Sequence, residues 1–279
     1  MTFDSSRLSR LRRPLGVFDS GVGGLTVLKA LRAALPDRDF VYLADTARVP
    51  YGRKPREMVA SFARGITGFL TGLGVEGVVI ACNTACAATP DLGALSPLPV
   101  WGVIEPGVEA ARRRTNTGRV GVIATRGTVN AGAYQSRLAA ANLSVWARAC
   151  PMFVPLVEEG LASSAEAEVL AQLYLRDRPD IDTLILGCTH YPVLKSVIAA
   201  AVGESVNLVD SAQVTAEVVR EGLKGDGEGA GRILHLVTGD VAAYEHTASV
   251  IGGVEGEVVH LDVVHLAAQE QLEALRATF

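Results

Sequence analysis

Along the chain, short apolar runs alternate with longer stretches of helical period. The runs at residues 15–18, 40–43, 78–81, 100–103, 120–124, 183–186, 206–209 and 233–237 predict strands. Residues 25–35, 56–73, 131–141, 165–175 and 212–223 carry the helical pattern between them. Strand and helix in strict alternation define an α/β protein with parallel-rich sheets flanked by crossover helices.

The pattern also repeats. "LGVFDSGVGGLTVLKAL" and "VGVIATRGTVNAGAYQSRL" each read as apolar strand, polar turn and helix. Each precedes a strand that ends on a cysteine: "VEGVVIACNTACA" leads to Cys82, and "DTLILGCTHYPVL" leads to Cys188. Gly16 to Cys82 spans 66 positions and the matching Gly121 to Cys188 spans 67, so two similar α/β units are expected. Ligands of open parallel sheets gather beyond the carboxyl ends of strands, which places both cysteines at a functional edge. If the units face each other, the thiols do too.

Composition narrows this picture. The chain of 279 residues is 49% hydrophobic with a net charge of −4, which fits a packed globular protein and argues against a dedicated nucleic-acid partner. Arg112, Arg113 and Arg114 form a short basic run that reads as a solvated helix end. No apolar stretch reaches the roughly 20 residues of a membrane span. The polar start, residues 1–14, lacks the form of a secretory signal and reads as a loose tail on a cytoplasmic protein. The four cysteines form no C-x-x-C pair, and reduced thiols are the default.

A cysteine at a strand-to-helix turn is either inert and buried or activated, because the backbone N–H groups of a helix start favour a thiolate. Two of them at matching places in a repeat favour the second reading. Facing thiols suit inversion of a carbon centre, in which one group removes a proton from one face and the other delivers a proton to the opposite face. Asp19 and Ser20 in "FDSGVGG" adjoin the first cysteine's strand, where Asp19 either exchanges the thiol proton or caps a turn. Gly21, Gly23 and Gly24 lack the spacing of a nucleotide-binding loop. Tyr51 and Gly52 sit in a loop that either clamps a small polar ligand or is a plain surface turn. Asn83, Thr84, Thr189 and His190 follow the cysteines and are ready donors for a carboxylate. Glu158 and Glu159 both qualify as a partner for His190, and local sequence does not choose between them. The other four histidines read as structural. No metal-ligand spacing is present, and no lysine has a phosphate-binding setting, so chemistry without a cofactor is expected.

The set "GVFDSGVGGLTVL", "DTARVPYG", "ACNTA", "GVIEPG", "PLVEEG", "LGCTHYP" and "LVDSA" resembles the glutamate racemases, from about residue 15 to about residue 240. The resemblance implies two α/β domains, residues 15–104 plus 213–279 and residues 105–212, with the active site in the cleft between them. It implies Cys82 exchanging the Cα proton on the D side with help from Asp19, and Cys188 on the L side with help from His190 and Glu158. It implies substrate held by Asp19, Ser20, Tyr51, Gly52, Asn83, Thr84, Thr189 and His190, no cofactor, a homodimer, and D-glutamate supplied for peptidoglycan. Racemisation of aspartate or another amino acid, a non-catalytic amino-acid-binding protein and a redox protein are the alternatives.

Overall fold

The computed structural model describes residues 3–223, 225 and 227–276. Among the described residues, ten strands form two all-parallel sheets. They are β1 (Leu15–Asp19), β2 (Phe40–Ala44), β3 (Val78–Ile80), β4 (Val100–Gly102), β5 (Arg119–Ala124), β6 (Ser144–Ala149), β7 (Thr183–Gly187), β8 (Asn207–Asp210), β9 (Ile233–Val237) and β10 (Glu257–His260). The first sheet runs β10-β9-β2-β1-β3-β4 and the second β6-β5-β7-β8. Apart from the added β9 and β10, the two orders are the same, so the sequence repeat is a repeat of topology. Register shows it residue by residue: Gly16 lies opposite Val78, and Gly121 opposite Leu184. Cys82 follows Val78, and Cys188 follows Leu184, by the same four positions.

The central strands β1, β2, β3 and β7 are buried at every residue, which is why they read as continuous apolar runs. Strand order reverses at the β1/β3 and β5/β7 boundaries, the crevices where such sheets bind ligands. The second core is built around Phe153, which meets Tyr174 and Tyr191 edge-on at 5.2 and 5.3 Å between ring centroids.

Several expectations are corrected. β6 and β10 were absent from the predicted strands; both are sheet edges with mostly half-buried residues, and Arg148 interrupts the apolar run of β6. The helix expected over 131–141 runs Ala133–Ala140, and a short helix not expected, Arg126–Ala131, precedes it, the two parted by Gly132 at φ +69°. The run Arg112 to Arg114 does close a helix, Ile104–Arg114.

The described part of the expected tail, from Phe3 on, is not loose. Ser5–Arg10 forms a 3-10 helix, the Phe3 N–H donates to the His260 carbonyl at 2.9 Å, and Arg7 pairs with Glu257. Asp39 completes the tether. Its buried carboxylate accepts from the backbone N–H groups of Arg12, Ala230 and Arg232 at 2.8, 2.8 and 3.0 Å, and from the Arg232 guanidinium at 2.7 Å. Burial alone would push this carboxyl up, but the Arg232 side chain and the three N–H groups outweigh it and bring the pKa down to about 2.

Asp39→Asn should therefore lower stability at pH 7 by about 2 kcal/mol, since buried donors lose a charged acceptor. The depressed pKa makes this stabilisation present above the unfolded value near 4 and lost as pH falls through about 2. Urea unfolding of both proteins across that range should show the difference shrinking with acid.

Candidate active site

The carboxyl ends of the two sheets face each other, and side chains cross between them. Gly23, in the turn after β1, lies directly against the turn after β7: a Cβ on it would sit 2.3 Å from Thr189 Oγ1 and 2.5 Å from His190 Nδ1. The glycine-rich turn thus serves close packing between lobes. Thr26 adds a hydrogen bond from its hydroxyl to the Thr189 carbonyl at 2.9 Å.

On the first wall, Cys82 caps the helix Asn83–Ala88 and is 5% exposed. Its thiol donates to Ser20 Oγ at 3.7 Å. Burial and then the nearby Asp19 charge push its pKa well up, against the weaker help of the Ala85 N–H. The helix start was expected to favour a thiolate; desolvation overrides it, and the resting form is the thiol. Asp19 is itself raised, chiefly by burial, with the charge of His190 and the N–H groups of its turn acting the other way. Gly21 N–H donates to Asp19 Oδ2 at 2.9 Å, while Oδ1 is buried with no partner among the described residues. Asn83 accepts from the Tyr134 hydroxyl through Oδ1 at 2.7 Å, and its Nδ2 donor likewise has no partner among the described residues. A buried acceptor and a buried donor left open beside one thiol suit the ammonium and carboxylate of an amino acid.

The second wall carries Cys188, also 5% exposed, with His190 Nδ1 3.9 Å from its sulfur. His190 Nε2 lies 2.9 Å from Glu158 Oε1. Phe153 packs on Tyr191, whose hydroxyl donates to the Cys150 carbonyl at 2.8 Å; this brings the end of helix Phe153–Glu158 against the 188–190 turn. The geometry thereby selects Glu158 over Glu159. Burial disfavours an imidazolium, but the contacts with Cys188 and Glu158 outweigh it and raise the His190 pKa to about 10. The two thiols thus have different neighbours, Ser20 and Asp19 beside Cys82 and His190 beside Cys188.

Thr84 from the first lobe meets Thr125 and Thr128 from the second at 2.9 and 3.2 Å. Neither of those threonines, nor Tyr134, was singled out in the sequence, although aligning the repeat puts Thr125 at the place of Ser20. Tyr51 is buried, with its hydroxyl donating to Asp45. Gly52 lies against Thr125, where a Cβ would come within 2.9 Å of that residue's Cβ. All the singled-out residues except Glu159 thus collect at the junction of the lobes. His235 sits apart, between the Tyr244 hydroxyl and the Glu255 carbonyl at 3.0 Å each, with burial lowering its pKa to about 4.

The family model described as Asp/Glu/Hydantoin racemase matches residues 23–219. A glutamate racemase of Thermus thermophilus is 53% identical over 247 residues, covering 86% of this chain and 93% of the relative. The crystal structure of Thermus thermophilus glutamate racemase in complex with beta-chloro-D-alanine superposes with a TM-score of 0.85 at 50% identity, covering 90% of this chain and 98% of that one. Francisella tularensis glutamate racemase in complex with D-glutamate gives 0.80 at 34% identity, covering 92% and 98%. The duplicated parallel fold and these matches define an enzyme of the racemase class. The chain belongs to the Asp/Glu/Hydantoin racemase family.

Because His190 is held protonated until pH rises through about 10, Glu158→Gln should bring its pKa down toward the ordinary 6.5. A nitrogen-15 histidine NMR titration reads this directly. An unchanged titration would show that Glu158 does not hold the charge.

Proposed function

We propose that this chain is a glutamate racemase that interconverts L- and D-glutamate with Cys82 and Cys188 as its two acid/base groups. The observation that carries the reading is the placement of two thiols at register-equivalent strand ends of facing lobes, in a chain matched over most of its length by glutamate racemases. The cleft lies between the lobes 15–104 plus 213–279 and 105–212.

In the L-to-D direction, the Cys188 thiolate takes the Cα proton from one face, breaking the C–H bond and leaving its electron pair on Cα. Cys82, held as a thiol by burial and by Asp19, gives its proton to the opposite face. The reverse reaction exchanges these roles. Asp19 returns a proton to Cys82, and His190, held by Glu158, manages the proton of Cys188. Asn83 Nδ2 supplies a preorganised donor to the α-carboxylate, with Thr84, Thr189 and Ser20 around it, so that charge developing at Cα meets fixed dipoles rather than water. Asp19 Oδ1 receives the ammonium group, and the Tyr51 and Gly52 backbone holds the side-chain carboxylate. No cofactor takes part. The enzyme works in the cytoplasm as a homodimer, and its D-glutamate enters peptidoglycan.

Cys82→Ala and Cys188→Ala should each lower racemisation by about 10²- to 10⁴-fold, the usual weight of a positioned acid or base. Solvent deuterium entering Cα, followed separately from each enantiomer, checks the assignment. Full racemisation by either variant would sink the two-thiol mechanism, and turnover of enantiopure aspartate in preference to glutamate would reassign the substrate.

A further inference from the structure

A cavity of about 310 Å³ opens to solvent across the junction of the lobes, lined in part by Gly52 and Thr84 and otherwise by residues so far given no role. Arg53, Lys54 and Arg56 line it from the first lobe and Arg126 from the second. Among the described residues, no carboxylate lines it. Arg53, Arg56 and Arg126 are exposed and Lys54 is half-buried, and none of the four side chains makes an ion pair or hydrogen bond with a described residue. Four uncompensated cations at one opening stand out on a chain of net charge −4, which as a whole repels anions.

Gly52 and Thr84 also line the cavity. There the lobes touch through Gly127, on which a Cβ would lie 3.1 Å from both the Gly52 carbonyl oxygen and Thr84 Cγ2. Thr84 at this seam is two residues from Cys82. With the thiols 5% exposed, a substrate needs a route inward.

We propose that the cavity is an anion-collecting vestibule: Arg53, Lys54, Arg56 and Arg126 draw the dicarboxylate substrate to the Gly52–Gly127 seam, through which it enters the cleft. The proposal rests on the glutamate reading. Glutamate carries two carboxylates and one ammonium, so its net negative charge is attracted from solvent while the side-chain carboxylate finds a cation on either lobe. The attraction reaches about 10 Å at 0.1 M salt and about 3 Å at 1 M, so it acts at low ionic strength and fades at high.

The test compares the wild-type chain with the triple variant Arg53→Gln, Arg56→Gln, Arg126→Gln, with the charge-preserving triple variant to Lys, and with a control that removes three exposed charges elsewhere, Arg64→Gln, Arg113→Gln, Arg220→Gln. At about 0.01 M ionic strength the first variant should lose roughly tenfold in kcat/KM for both enantiomers, with kcat within about twofold of wild type. The gap should close near 1 M salt, and the Lys variant and the control should both stay close to wild type. An equal loss in the control, a loss that persists at high salt, or no loss at low salt would overturn the vestibule while leaving the racemase reading intact. Absence of glutamate racemisation by the wild-type chain would overturn both.

Discussion

The cleft depends on one close approach, the backbone of the turn after β1 passing against Thr189 and His190. Only a residue without a side chain fits at Gly23, and the contact fixes how near the two sheet edges come. Thr84 with Thr125, and Asn83 with Tyr134, then bridge the same edges from the β3 side. A larger residue at Gly23 would separate the walls and expose both thiols to water. Rigid sheets hold each thiol, and the glycine holds the sheets to each other.

Duplication of a fold leads one to expect two equal halves, yet the electrostatics differ. On the first wall the residue after Phe18 is Asp19, and burial together with its charge keeps the neighbouring thiol protonated. At the equivalent place on the second wall stands Ala124, and the group beside Cys188 is instead an imidazolium paired with Glu158. One thiol faces an anion and the other a cation. The repeat of topology therefore does not extend to the charges around the two thiols.

Much of this was legible in the sequence where burial makes composition speak. β1, β2, β3 and β7 are buried throughout, so their residues had to be apolar or small, and the repeat put both cysteines just beyond the strand ends where they stand. β6 and β10 were not legible, because an edge strand with Arg148 or with Glu257 and His260 lacks an apolar signature. The choice between Glu158 and Glu159 turned on the phase of a six-residue helix set by Phe153 packing on Tyr191, a contact remote in sequence. The acidity of Cys82 was misjudged for a similar reason. A helix start is visible locally, whereas the depth of burial and the approach of Asp19 arise only when β1 and β3 pair.

The insertion of β9 beside β2, pinned by Asp39 to both Arg12 and Arg232, has a consequence for how the chain assembles. The second sheet uses one continuous stretch, from Arg119 to Asp210, and its strands can pair as soon as that stretch exists. The first sheet cannot be completed until residues beyond Arg232 return to strands made near the start. Its closure carries the larger loop entropy and comes last. During synthesis the edge of β2 therefore stays unpaired while the other lobe forms, an interval in which a free strand edge is open to wrong partners.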